Sequence, residues 1–223
     1  MKKIFLLLLL VFGVGVGSAR AQQGEVLLGV RGGDNALFGS FAALLVEAEY
    51  SWDRHFAVRG GVQYNTIERG AVELRPQYFY ELNFGRIYAE LLLNYSCQNS
   101  VNNYAVGGGA MLDSRWGWAT LGYYYRIMTR GVDAIREKFN IYYELGVRCL
   151  PKLEMWDLNV IFSNSRFCEL ERHYQPSLLV EGWWYPLQQL GVQLGASYKP
   201  AGMFNLSSDY YQLYANVGVC YRW

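Results

Sequence analysis

Alternate positions along this chain form a face without a single charged side chain, repeated through twelve runs. Examples are Leu44, Val46, Ala48, Tyr50 and Trp52, or Ile87, Ala89, Leu91, Leu93 and Tyr95, or Leu213, Ala215, Val217, Val219, Tyr221 and Trp223. A period of two is the period of a β-strand, whose successive side chains point to opposite sides of a sheet. The charges fall on the other face: Glu47, Glu49, Arg59, Glu73, Arg75, Glu90, Arg126, Glu144, Arg148, Asp157 and Glu181, together with Glu25, Arg31, Glu81 and Arg222. Chance does not sort that many charges to one side.

The breaks between runs alternate in kind. Short segments follow the even-numbered strands ("DRH", "NFGR", "DSRW", "LPKL", "YPLQQ"), and longer polar ones follow the odd-numbered strands, such as "MTRGVDAIREK" and "NSRFCELERH". Hairpins joined alternately at two ends make a meander of antiparallel strands. Two prolines, Pro76 inside a run and Pro176 at the start of another, each remove a ladder donor, and a bulge is expected at both.

Alternation does not say which face points inward. Three observations decide it. All seven Trp fall at or beside the short-turn ends, and Trp52, Trp116, Trp118, Trp156, Trp183, Trp184 and Trp223 are read as a belt at a bilayer interface. A ring of twelve strands is too wide for one small domain to fill with apolar side chains. A charge on a lipid face costs about 2–4 kcal/mol near the midplane, which accounts for the complete exclusion. The expected fold is therefore all-β: a closed antiparallel transmembrane β-barrel of about twelve strands, with short periplasmic turns and longer extracellular loops. Closure requires the first and last strands to pair near Val26–Val30 and Val217–Tyr221, because an open edge in hydrocarbon leaves unbonded backbone groups.

Residues 1–21 are read as a secretory signal peptide. Lys2 and Lys3 precede the apolar run "IFLLLLLVFGVGVG", and Ala19 and Ala21 supply an A-x-A cleavage site. Residues 22–223 then form a single barrel domain. A formal net charge of +1 argues against a nucleic-acid partner. The four cysteines show no C-x-x-C spacing, so no metal or dense disulfide framework is expected; one bridge between Cys97 and Cys168 is left open. No cofactor motif is present.

The tail resembles the assembly signal of bacterial outer-membrane β-barrel proteins, with a C-terminal aromatic and hydrophobic residues at alternate positions before it: Val217, Val219, Tyr221 and Trp223. The resemblance of layout covers the whole chain after residue 21. It implies location in the outer membrane of a Gram-negative bacterium, and it implies partners: the lipid bilayer, lipopolysaccharide, and the barrel-assembly machinery during biogenesis.

Three functions fit such a barrel. The inward charges, with acids exceeding arginines, suit a small passive, porin-like channel leaning towards cations. The same charges suit a structural or accessory barrel, braced by ion pairs and acting through partners. In that ladder Glu49 is expected opposite Arg59, Arg148 opposite Asp157, and Arg222 beside Glu25. The third function, an outer-leaflet lipid hydrolase, needs a His base beside a Ser nucleophile. His173, with Ser163, Ser165 and Ser177 nearby, is the weak candidate, and "ERHYQP" lacks a His-x-Ser arrangement. Cations in the two most charged loops, among them Arg130 and Arg166, suit lipopolysaccharide phosphates.

Overall fold

A computed structural model describes residues 23–36, 39–51, 55–66, 69–98, 100–151, 153, 155–166, 168–170, 176–200 and 212–223. The expected leader, Trp52 and His173 lie outside them. The described strands are β1 (Gln23–Asn35), β2 (Gly39–Ser51), β3 (Phe56–Asn65), β4 (Arg69–Leu82), β5 (Gly85–Gln98), β6 (Val101–Ser114), β7 (Gly117–Arg130), β8 (Asp133–Arg148), β9 (Trp156–Ser163), β10 (Ser165–Arg166), β11 (Glu169–Leu170), β12 (Ser177–Leu187), β13 (Leu190–Lys199) and β14 (Gln212–Arg222). Twelve of them close an antiparallel barrel; β10 and β11 pair only with each other. The seam joins β1 to β14 with Val26 opposite Tyr221 and Val30 opposite Val217.

The uncharged face is the outer one. Successive residues show the sorting sharply: Leu91 is 59% exposed and Leu92 0%. Exposed Leu, Val, Ile, Phe, Tyr and Trp side chains run around the whole circumference, among them Leu44, Leu121, Leu145, Leu194 and Val217. Most barrel strands run 10 to 16 residues, and the 9–11 residues of a tilted strand suffice to cross a bilayer.

Strands run further than the sequence suggests at the loop end. The segment "MTRGVDAIREK" contracts to the two-residue turn Gly131–Val132, with Gly131 at φ 60° in the left-handed region. The asymmetry between the two ends rests on two segments, 164–176 and 200–211. The first follows β9, the shortest barrel strand at 8 residues. There the side chain of Asn164 continues the ladder along β8: its Nδ2 donates to the Ile141 carbonyl (2.9 Å), and the Tyr143 N–H donates to its Oδ1 (2.7 Å). An amide side chain thus does the work of a missing strand residue, which a wall bordering hydrocarbon needs.

Neither expected bulge forms. At Pro76 the register is the same on both sides, Leu74 opposite Leu93 and Gln77 opposite Glu90, so the ladder loses bonds without slipping. Pro176 precedes β12. The register shifts occur instead between Tyr124 and Arg126 on β7–β8 and between Trp184 and Leu187 on β12–β13, the second containing Pro186 in a segment that reads as turn.

The lumen is not uniformly polar. Leu92, Ala105, Tyr124 and Tyr142 form one buried cluster inside the barrel, and Phe41, Ile161, Leu179 and Tyr214 form a second. The first depends on glycine. Tyr142 lies against Gly109 with its hydroxyl and against Gly122 with its ring, so a Cβ at Gly122 would clash with the ring's Cε1 and Cζ atoms. Overpacking of this kind costs about 1–3 kcal/mol. Gly122→Ala should therefore lower the temperature at which the barrel loses its fast-migrating folded band on a gel. An unchanged transition would show that the ring moves aside freely.

Candidate lumenal site

The inward charges are placed by strand period and then by cross-strand register. Glu25, Glu49, Arg59 and Arg75 lie opposite one another in turn across β1, β2, β3 and β4, and Arg222 completes the row at the seam. This row follows the hydrogen-bonding direction, which is inclined to the barrel axis because the strands tilt. It climbs from the turn-end mouth to mid-lumen.

At the mouth, Arg222 Nε donates to Glu25 Oε2 (2.6 Å) and Arg222 Nη2 to the Tyr185 hydroxyl (2.7 Å). A mouth cavity of about 600 Å³ is lined by Glu25, Glu49, Arg86, Arg222 and Trp223. Deeper in, a cavity of about 290 Å³ is bounded by Glu49, Arg59, Arg75, Glu90, Asp113, Trp118, Glu144, Arg148, Asp157, Asn159, Ser165 and Glu181. A third of about 220 Å³ shares Glu49, Arg59 and Glu181 with the second and adds Glu47 and Trp183. Glu49 borders all three, so they lie side by side at the turn end, and together they are called the vestibule. Its carboxylates outnumber its guanidinium groups.

The vestibule ends on an interlocked network. Arg75 Nε donates to Glu73 Oε1 (2.6 Å), its Nη1 lies 3.5 Å from Glu90 Oε1, and its Nη2 donates to Ser165 Oγ (3.0 Å). Asn94 Nδ2 donates to the second Glu73 oxygen (2.8 Å). Glu90 also accepts from Gln77 Nε2 (3.1 Å) and from the Tyr142 hydroxyl (2.9 Å). Glu73, Arg75 and Glu90 are 1%, 7% and 6% exposed. Every carboxylate oxygen and every guanidinium nitrogen is thus engaged, the condition under which buried charge is tolerated. Ser165 belongs to the chain leaving β9, so this segment turns into the lumen and closes the network from above. Towards the loop end the inward side chains Gln63, Tyr124, Ser197 and Asn216 are buried.

All eleven charges read as lumenal face the interior, but their partners differ from expectation in places. Arg59 stands opposite Glu49 in register yet bonds to Glu47 (2.9 Å). Arg148 lies opposite Asn159, not Asp157, and its Nη1 donates to Asp113 Oδ1 (2.7 Å) and to the Ser114 carbonyl. The expected Arg148–Asp157 pair is a two-residue register error: β8 ends at Arg148 and β9 begins at Trp156, so the connection 149–155 is longer than the tight turn that would have set that pairing. Arg126 lies 3.8 Å from Glu137, and its Nη2 donates to the Tyr124 hydroxyl (2.8 Å).

The Trp belt needs correction. Trp116, Trp156, Trp184 and Trp223 are exposed on the outer face, with Trp156 stacked on Trp184 at 5.8 Å. Trp118 and Trp183 are lumenal. The indole N–H of Trp118 donates to Glu144 Oε1 (2.7 Å), and Trp183 lines the vestibule. The alternation already implied this, since Ala119 and Trp184 face outward. Asp113 and Ser165 were missed because they fall in segments that read as connections.

Val217, Val219, Tyr221 and Trp223 line the outer face of β14. The Trp223 N–H and carbonyl bond to the Gly24 carbonyl and N–H (3.0 and 3.2 Å), which clips the chain end to the start of β1. The open question about Cys97 and Cys168 closes on geometry: neither forms a disulfide, Cys168 being buried against Ala71 inside the barrel while Cys97 follows Leu91, Leu93 and Tyr95 on the outside. Near the hydrolase candidate, Ser163 and Ser177 donate their hydroxyls to the carbonyls of Tyr143 (3.1 Å) and Ser163 (3.0 Å).

No protein-family model matches the chain, and no curated protein sequence is similar to it at a significant level. Solved structures do match. The NanC porin superposes with a TM-score of 0.57 at 12% identity, covering 87% of this chain and 98% of its own. The KdgM porin gives 0.54 at 13%, covering 88% and 98%. The translocator domain of the autotransporter NalP from Neisseria meningitidis gives 0.54 at 11%, covering 100% and 95%. Two porins and a translocator share this architecture, so the likeness identifies the fold and leaves the activity to the lumen. The fold of this chain is that of the outer-membrane β-barrels.

Proposed function

We propose that this chain spans a bacterial outer membrane and serves as a narrow, porin-like passive channel with a preference for cations. The observation that carries the reading is the vestibule: open at the turn end, lined by more carboxylates than guanidinium groups, and leading to the Glu73–Arg75–Glu90 network. Focused negative potential in a low-dielectric tube raises the local concentration of cations. The network then sets the bore. The porin neighbours support this reading, as does the wide ring of strands. The bilayer and lipopolysaccharide are the partners this placement implies, with the assembly machinery acting on β14 during biogenesis.

One observation favours the second reading, a structural or accessory barrel: the network is interlocked and the vestibule stops at it. Planar-bilayer recording separates the two. Wild-type protein should give small, cation-selective steps. The triple variant Glu73→Gln/Arg75→Gln/Glu90→Gln, which removes the charges that lock the bore, should give steps several-fold larger. Silence from both across independent preparations would assign the closed, structural role.

A further inference from the structure

We propose that the outer face of the β7–β8 hairpin, at its loop end, binds a phosphate group of outer-leaflet lipopolysaccharide through Arg136 and Lys138. The inference rests on the outer face meeting a bilayer, as in the reading above, and it puts the lipid contact on the barrel wall.

A register shift decides which way these two cations point. From the turn end upward, Val147, Leu145, Tyr143, Ile141 and Phe139 face outward on β8, and Tyr123 of β7 stacks on Phe139 at 6.2 Å. Unbroken alternation would continue outward with Glu137 and Ile135, and would turn Lys138 and Arg136 into the lumen. But β8 carries one extra residue here: Tyr124 pairs with Asn140, and Arg126 with Glu137. The parity flips. Glu137 faces the lumen, 3.8 Å from the inward Arg126, so its neighbours Arg136 and Lys138 stand on the outer face. Re-aiming side chains is what a β-bulge does. This one takes a carboxylate off the lipid side and sets two cations there.

Height places the pair at the headgroups. Val147 stands near the turn-end edge of the outer face, opposite Gly117, the first residue of β7. Lys138 lies nine residues further along β8. That is roughly 30 Å of strand at about 3.4 Å per residue, and a tilt of about 35–45° leaves roughly 21–25 Å of height. The apolar band of such a barrel is about 25 Å tall, so Lys138 reaches its upper edge and Arg136, two residues on, stands above it. Just below them, the exposed Tyr123 and Phe139 offer aromatic surface to acyl chains. Arg136 and Lys138 are both exposed, and among the described residues neither makes an ion pair. Their stems can lie along the apolar wall while their heads donate charge-assisted hydrogen bonds to a phosphate. Arg130, a loop cation for which the sequence suggests this role, stands instead opposite Asp133 at the hairpin tip, in the alternation that runs inward through Tyr124 and Arg126.

The test is native mass spectrometry of the refolded barrel in detergent, titrated with lipid A carrying both phosphates and with lipid A stripped of them. The phosphorylated lipid should bind at least ~10-fold more tightly, the scale that two basic side chains near an anionic surface supply. Arg136→Gln/Lys138→Gln should erase that preference, while Arg130→Gln keeps it. Inorganic phosphate at the same concentration should leave lipid A bound. Heat-dependent gel mobility establishes that each variant is folded, and the wild-type comparison of the two lipids needs no variant. Equal binding of the two lipids, a preference that survives the double substitution, an equal loss in Arg130→Gln, or displacement of lipid A by inorganic phosphate overturns the site. A barrel silent in planar bilayers that keeps the preference loses the channel and retains the site; a conducting barrel without the preference loses only the site.

Discussion

Leu91→Arg should block insertion of this barrel into lipid vesicles, while Leu91→Phe inserts like the wild type. Leu91 stands at the middle of β5 on the outer face and is 59% exposed. On a water-facing surface an arginine there would be harmless. On a lipid-facing one it carries a penalty of about 2–4 kcal/mol near the bilayer midplane. Folding yield by gel mobility, measured across vesicles of increasing thickness, checks this: the loss should deepen as the bilayer thickens, because the arginine then finds it harder to reach an interface. Normal insertion of the arginine variant would mean that the uncharged face does not meet lipid, and the orientation of every strand would have to be reversed. The neighbouring Leu92 supplies the internal contrast. It is buried against Ala105, Tyr124 and Tyr142 inside the barrel, so its truncation to Ala acts through a cavity and should be independent of bilayer thickness.

Arg75→Met is the second substitution with a large expected effect. It removes the guanidinium that serves Glu73 and Glu90 together and leaves two buried carboxylates facing each other. Breaking a buried pair by deleting one partner typically costs about 3–5 kcal/mol, most of it the uncompensated charge left behind. The urea midpoint of the barrel in mixed micelles should fall accordingly. Adding Glu73→Gln and Glu90→Gln to the same chain removes the orphaned charges and should recover most of the loss, since an amide pair of the same shape needs no counter-ion. A triple variant as unstable as Arg75→Met alone would show that Arg75 acts by filling space rather than by charge. Arg75 also holds Ser165, so the single variant should release the inward turn of the segment after β9; faster proteolysis near Ser165 in folded protein is the corresponding readout.

Leu91 and Arg75 were placed by different kinds of information from those that set their partners. The face of each side chain was legible in the sequence, because a strand has a period of two and a lipid boundary tolerates no charge. That is why Leu91 and Arg75 could be put on opposite sides of the wall, and why closure required the first and last strands to pair near Val26–Val30 and Val217–Tyr221, as they do. Trp118 and Trp183 were legible too, but the pull of an interfacial belt overrode the alternation that sets them inside. The absence of a bulge at Pro76 was not legible: a missing donor breaks a bond, and whether the ladder also slips depends on both neighbouring strands.

What the sequence determined, then, is the architecture: strand count, the inward set of charges, and the outer apolar band, each a consequence of alternation repeated twelve times. Height and partnership were decided only by the tertiary structure. Arg148 meets Asp113 rather than Asp157, Arg59 meets Glu47 rather than Glu49, and Ser165 reaches Arg75 from ninety residues away. These pairings depend on the stagger between strands accumulated around the ring, and on one connection folding inward. Stagger is a sum over every turn and register shift in the circuit, so no single stretch of residues encodes it.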